Sequence, residues 1–290
     1  MSKGKTILTR VVFGAGLIAV VVGVLVADYH AALRLADVRA PVLTLGLIVL
    51  AMLGFREVAR LARSAGTGVL AVSGAVGTVA IAALPFWRQL VGSLLLDDVW
   101  CVLGAVVMAA FLEQMIRHRI DGAIGRIAAT LLAVLYLGVG SAILLVIRIE
   151  WGIGALVLFL AAVKCTDIGA YFTGTAVGRH KLIPWLSPGK SWEGLVGGLA
   201  AGAGAAMLAV WAFGRYPNLA LEMSLAQAAV FGAVVGLFGQ FADLCESLLK
   251  RSAQVKDSGA LVPAFGGVLD ILDSPLLAAP VAYVLLELLG

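Results

Sequence analysis

Nine apolar stretches, each long enough to cross a bilayer, limit what this chain can become more than any other feature. A window of about 19–20 residues places them near 7–27, 39–56, 66–86, 93–113, 125–147, 151–173, 192–214, 225–249 and 268–289. Hydrocarbon offers no water to backbone N–H and C=O groups, so such stretches fold as helices that satisfy their own polar groups. The expectation is an all-α polytopic membrane protein with about nine transmembrane helices. Composition agrees: 62% of the 290 residues are hydrophobic and 13% charged, against roughly 45–50% apolar and 25% charged in soluble globules. Gly194, Gly198 and Gly202 recur every fourth residue in the seventh span, with Gly232 and Gly236 in the eighth. Small residues at that spacing let helices approach closely, within one subunit or between two copies of a homodimer.

Lys and Arg collect in short cytoplasmic loops, which orients the chain. With the N-terminus inside, the inner segments carry Lys3, Lys5, Arg10, Arg56, Arg60, Arg63, Arg117, Arg119, Arg126, Arg179, Lys181, Lys190, Lys250, Arg251 and Lys256. The outer segments carry Arg34, Arg39, Arg88, Arg148 and Arg215, and Lys164 lies inside the sixth span. Fifteen against five places the N-terminus in the cytoplasm, and the loops after spans six and eight with it. The first apolar run exceeds the roughly 7–15 residues of a signal-peptide core, so it reads as a span that is kept. The net charge of +4 is spread over these loops without forming a contiguous basic surface of the kind nucleic acid needs, so no nucleic-acid partner is expected.

Several motifs carry no chemistry. Cys101, Cys165 and Cys245 fall in spans without metal or disulfide spacing, and His30, His118 and His180 are scattered over loops. Gly189-Lys190-Ser191 ends like a phosphate-binding loop, but Pro184 stands where its first glycine belongs. Gly202-Ala203-Gly204 has Met207 in the third glycine's place of a dinucleotide fingerprint.

The charge that remains is concentrated in two constellations. The first holds Lys164, Asp167 and Tyr171 at i, i+3 and i+7, then Gly174, Gly178, Arg179, Lys181 and the run Ser187-Pro188-Gly189-Lys190-Ser191-Trp192-Glu193-Gly194. Asp167 is the natural partner of a lysine inside a span, and the glycine- and cation-rich segment after it has the character of an anion-binding loop. The second puts Asp243, Glu246, Ser247 and Lys250 on one helical face, followed by Arg251, Lys256, Asp257 and the carboxylate pair Asp270 and Asp273. Charges beside hydrocarbon are costly, and oxygen-rich faces with cations between them are what a hard metal ion and a phosphate chain require. Ser274-Pro275 reads as a helix break or restart, which would leave Asp270 and Asp273 on irregular backbone at a water-lined cavity.

These residues resemble the signature of the phosphatidate cytidylyltransferases, the CDP-diacylglycerol synthases. One block runs from Ser247, Lys250 and Arg251 through Lys256-Asp257 and Gly266-Gly267 to Asp270 and Asp273; the other runs from Asp167 and Tyr171 to Gly194. Together they cover about the last 125 residues, while the first five spans match in hydropathy alone. The resemblance implies transfer of the CMP moiety of CTP to phosphatidic acid, in a multi-pass protein of a bacterial-type inner membrane with its active site facing the cytoplasm. It implies Asp243 and Asp270 as ligands of magnesium, with Glu246 and Asp273 as further ligands or their supports; a second ion such as potassium is compatible with it. It further implies catalytic roles for Lys250, Arg251 and Ser247, and substrate contacts from Asp167, Tyr171, Lys181, Ser187, Lys190, Ser191, Glu193, Lys256 and Asp257. On this reading residues 1–150 form an N-terminal bundle of about five helices. Residues 151–290 form the catalytic region, with about four helices and two active-site loops.

Two positions depart from the family pattern. Phe265 stands in place of a histidine and Ile271 in place of an arginine, while all four acids and the Lys250-Arg251 pair are kept. Other readings are another CTP-dependent lipid enzyme, such as a polyprenol kinase or an ether-lipid CDP synthase, and a cation-coupled secondary transporter. A transporter predicts internal repeats with matching helix breaks. The chain shows none, and its first five spans carry few buried charges beyond Asp97 and Asp98.

Overall fold

The computed structural model describes residues 3–35, 38–92, 98–217, 219–259 and 266–289, with side chains from residue 13 onward and, in the fourth helix, from residue 99. Among these residues nine helical segments are long and apolar enough to cross a membrane. They are α1 (Lys3–Arg34), α2 (Pro41–Ser64), α3 (Ala71–Val91), α4 (Asp98–Arg117), the segment Ala123–Glu150, α7 (Gly152–Val177), α8 (Trp192–Phe213), α9 (Leu225–Ser252) and α10 (Leu269–Leu289). Within Ala123–Glu150 a π-helical turn at Val134–Val139 separates α5 (Ala123–Ala133) from α6 (Gly140–Glu150). The chain divides into two compact units, residues 1–145 with 252–271 and residues 146–251 with 272–290.

In the first unit the core is aliphatic, with Ile81, Val106 and Val134 fully inside and Val102, Leu103, Leu131, Val139 and Ala142 packed around them. Glycines let these helices close up. A Cβ on Gly74 would strike the ring of Phe55, and one on Gly77 would strike Val106. Two helix starts in this unit are closed from outside the helix. Ala40, in the left-handed conformation with φ 61°, offers no side-chain cap to α2. Instead Asp28 of α1, wholly buried, accepts the N–H groups of Val42 and Leu43 at 3.1 and 3.0 Å. Glu113 of α4 does the same for α3, accepting from Val72 and Ser73 at 3.2 and 2.7 Å. The first four N–H groups of a helix have no partner within it, and near hydrocarbon they need one from elsewhere.

These carboxylates correct the expectation that the first five spans carry few buried charges. The expected spans stopped at 27, 56 and 113, where polar residues lower the hydropathy, but α1, α2 and α4 run on to Arg34, Ser64 and Arg117. Asp28 and Glu57 are thereby drawn inside and buried. Asp97 and the Asp98 side chain lie outside the described residues.

The second unit is built backbone against backbone. A Cβ on Gly198 would meet Thr166 O and Ala170 of α7, one on Gly202 would meet Thr166 and Gly232, and one on Gly236 would meet Thr166. The glycine stripes of α8 and α9 therefore pack within the chain. Ser224 and Gln227 form a reciprocal capping box at the start of α9, with bonds of 3.3 and 2.8 Å. Between α7 and α8 the expected irregular loop is instead an antiparallel hairpin, β1 (Lys181–Ile183) and β2 (Ser187–Ser191), pairing Lys181 with Ser191 and Ile183 with Ser187. Its turn is closed by the Leu186 N–H on Ile183 O at 3.2 Å, and Leu186 is buried. Ser187 and Lys190 thus sit on a strand whose register fixes them, not on a free loop.

Candidate functional site

Within the second unit a chain of charged and amide side chains links α7, β2, α9 and α10. Lys164 and Asp167, one turn apart on α7, form an ion pair at 3.4 Å. The other oxygen of Asp167 accepts the amide N–H of Gln240 on α9 at 3.0 Å. Gln240 turns its carbonyl oxygen to Lys190 at 3.1 Å, and its main-chain oxygen accepts from the same ammonium at 3.1 Å. Lys190 Nζ then reaches Asp243 at 2.7 Å. Only one amide orientation serves both partners, since the NH2 faces the carboxylate and the oxygen faces the cation.

Asp243 is held on both sides. Its second oxygen accepts the Ser274 hydroxyl. That hydroxyl also lies 3.3 Å from Asp273 Oδ1, which accepts the Ser274 N–H at 2.7 Å. Asp273 is buried, as is Glu246, whose carboxylate pairs with Lys250 one helical turn on at 2.6 Å. The face predicted from the spacing of Asp243, Glu246, Ser247 and Lys250 is thus half occupied by internal ion pairs. Ser247 is half-buried on it. Arg251 Nε lies 3.5 Å from Leu186 O, at the turn of the hairpin.

Other predicted residues hold the hairpin. Ser191 is the N-cap of α8, accepting the Gly194 N–H at 3.1 Å. Glu193 accepts the main-chain N–H groups of Arg179 and His180 at 3.1 and 3.2 Å and meets His180 Nδ1 at 2.6 Å. Lys181 is exposed, Ser187 is half-buried, and Tyr171 is exposed with its ring edge-on to Phe172.

Asp270 belongs to the first unit. Its Oδ2 accepts the N–H of Gly267 at 2.7 Å, the N–H of Ser258 at 3.1 Å and the hydroxyl of Ser258 at 2.7 Å. The expected helix restart at Ser274 is corrected here, because α10 begins at Leu269 and runs unbroken past Pro275. Asp270 therefore sits in the first turn and Asp273 within the helix. The reason is Glu57 of α2, which accepts the N–H groups of Val268 at 3.0 Å and Leu269 at 2.8 Å and so allows the helix to start there. Lys256 and Asp257 are exposed; Phe265 lies outside the described residues.

Three contributors escaped the sequence reading. Gln240 continues the Asp243 face one turn toward the N-terminus, and extending that spacing backward would have found it. Ser274 has the form of a helix cap, but its hydroxyl bridges two acids. Glu57 fell one residue beyond the expected second span. Among the described residues no three His, Cys, Asp or Glu side chains are arranged to hold a metal ion by themselves.

Comparison with known proteins bears on the same segments. Residues 8–289 match the cytidylyltransferase family. The chain is similar to phosphatidate cytidylyltransferase of Pseudomonas aeruginosa, 40% identical over 246 residues that cover 82% of this chain and 85% of that protein. It is 38% identical to the Staphylococcus saprophyticus phosphatidate cytidylyltransferase over 55% of this chain and 58% of that one. The Haemophilus influenzae protein of the same name is 38% identical over 44% of each.

Proposed function

The chain belongs to the cytidylyltransferase family, and from that premise we infer that it transfers the CMP moiety of CTP to phosphatidic acid. The products are CDP-diacylglycerol, which stays in the membrane, and pyrophosphate. A phosphate oxygen of phosphatidic acid attacks the α-phosphorus of CTP, and the bond from that phosphorus to the β-bridging oxygen breaks, so that pyrophosphate leaves with the electron pair. The attacking phosphate is largely ionised near neutral pH, its second pKa being about 6 as for phosphorylated side chains. No side chain has to remove a proton from it.

The protein's task is electrostatic, because an anionic lipid must meet a polyanionic nucleotide. Lys190 is the cation best placed to serve. Two oxygens of Gln240 and one of Asp243 fix its ammonium, and Asp167 fixes Gln240. Preorganised charge of this kind stabilises developing phosphate charge without reorganisation. Lys250, Arg251, Lys181 and Lys256 are assigned to phosphate contacts on the family resemblance.

Asp243 and Asp270 are assigned as magnesium ligands, with Asp273 and Glu246 supporting them. The donor chemistry fits, since all four acids offer the hard oxygen atoms magnesium prefers. Two carboxylates would suffice, with substrate phosphates and waters as the remaining ligands. When bound, the ion neutralises phosphate charge and favours an in-line geometry. The fifteen-to-five distribution of basic residues supports a cytoplasmic N-terminus and a site open to cytoplasmic CTP.

The observation that carries this reading is the Lys190–Asp243 pair with its Gln240–Asp167 support, built from three elements of the segment that carries the family's blocks. The purified protein in detergent, given CTP, phosphatidic acid and magnesium, should release pyrophosphate and CDP-diacylglycerol in equal amounts. Pyrophosphate without the lipid product, or turnover independent of phosphatidic acid, would exclude it.

A further inference from the structure

We propose that Glu57 of α2 is a positioning residue for the nucleotide site, setting the backbone at Val268 and Leu269 and the hydroxyl of Ser258, and through them the carboxylate of Asp270. The proposal rests on the assignment of Asp270 to magnesium made above.

Glu57 is 2% exposed, in a helix otherwise suited to hydrocarbon. An ionisable group there is costly unless it is matched by donors. Among the described residues its donors are Val268 N–H, Leu269 N–H and the Ser258 hydroxyl, at 3.0, 2.8 and 2.9 Å, all distant in sequence. The Ser258 hydroxyl lies between Glu57 Oε2 and Asp270 Oδ2, at 2.9 and 2.7 Å, and its single proton serves one at a time. Two carboxylates thus share one hydroxyl and four main-chain N–H groups, those of Ser258, Gly267, Val268 and Leu269.

The segment is shaped to admit this. A Cβ on Gly259 would collide with Glu57 Oε1, and one on Gly267 would collide with Ser258 Oγ and Glu57 Oε2. Gly266 has φ 103°, which favours glycine, and a Cβ there would press on Asp270. Asp28 and Glu113 also close helix starts from neighbouring helices, but neither of the helices they serve bears an acid assigned to substrate or metal. Glu57 alone of the three fixes a first turn that carries Asp270. Its carboxylate does not reach the reacting atoms; it decides where Asp270 stands.

The test compares Glu57→Gln, Glu57→Asp and Ser258→Ala in the full-length enzyme. Glu57→Gln keeps the size but turns an NH2 toward a donor. Hydrogen–deuterium exchange without nucleotide is expected to rise roughly tenfold at Val268 and Leu269 while α3 is unchanged, as one charge-assisted bond is lost. The apparent KM for magnesium-CTP should rise by roughly tenfold, with KM for phosphatidic acid within about twofold. Ser258→Ala should move both readouts the same way by a smaller factor, and Glu57→Asp should recover part of the loss. Unchanged exchange in Glu57→Gln, faster exchange with unchanged KM for CTP, or equal loss toward both substrates each overturns the proposal. If Glu57→Gln does not fold, wild-type exchange and kinetics in Ser258→Ala overturn it. Asp270→Asn separates the two readings, since full activity there removes the metal assignment while leaving the exchange result of Glu57→Gln to stand.

Discussion

Lys190 on strand β2 and Asp243 on α9 meet at 2.7 Å across 53 residues of sequence. Lys190 lies in one block of the family signature and Asp243 stands one helical turn before the other, so the pair ties the two segments together. The hairpin supplies a cation, the helix supplies the acid, and Gln240 locks the two in register with Asp167.

Removing the cation tests that arrangement. Lys190→Met should lower kcat by about 10²-fold, the scale on which single preorganised donors act in charge-developing transition states. Lys190→Arg restores charge but not the compact three-oxygen fit, so partial recovery is expected. Steady-state pyrophosphate release measures both; near-normal kcat in Lys190→Met would remove Lys190 from the phosphate-binding role.

Asp243→Asn and Asp270→Asn should each abolish turnover at millimolar magnesium, and Asp97→Ala should leave it within a few fold. Magnesium titrations of the three variants distinguish them. Excess metal should restore neither of the first two, because what each loses is a ligand charge.

Gln240→Leu keeps the volume on α9 and deletes both of the side chain's bonds. Losing such a bridge between partly buried charges should lower stability by about 1–3 kcal/mol and should raise KM for CTP more than KM for phosphatidic acid. Thermal melting in detergent and two-substrate kinetics report the two effects separately.

Ser191→Ala discriminates a helix cap from a substrate contact. Loss of the Gly194 N–H bond should cost about 0.5–2 kcal/mol, with kcat changed by no more than a few fold. A much larger fall in kcat at unchanged melting temperature would make Ser191 a substrate ligand.

The glycine stripe provides a packing test. Gly202→Val forces methyl groups onto Thr166 and the backbone of Gly232 and should destabilise by about 1–3 kcal/mol or more. Gly204→Val, two residues on and with nothing within 4 Å, should remain within about 0.5 kcal/mol of wild type. Equal shifts in the two variants would count against close packing at Gly202.

Among the described residues hydropathy located all nine helices long and apolar enough to cross a membrane, because twenty apolar residues have few alternatives in a bilayer. It misjudged the ends for a physical reason. A window averages away single charges, whereas a helix continues through a carboxylate that finds donors. Asp28 and Glu57 are such cases, each one residue past the end of an expected span. Spacing recovered the Asp243 face, since helical periodicity is local, but missed Gln240, whose importance depends on strand β2 arriving beside it. The hairpin itself was hidden by Pro188 and Gly189, which read as loop residues until pairing of Lys181 with Ser191 makes them an edge. Ser274-Pro275 has the form of a helix start. Only the distant Glu57 moves that start back to Leu269.

The bond from Glu57 to Leu269 spans 212 residues. At about 5–20 residues per second, the ribosome finishes α10 roughly 10–40 seconds after α2 has been made. Throughout that interval Glu57 waits without the N–H groups of Val268 and Leu269 that it will accept. The first turn of α10, which carries Asp270, therefore closes on an acceptor that was made long before it.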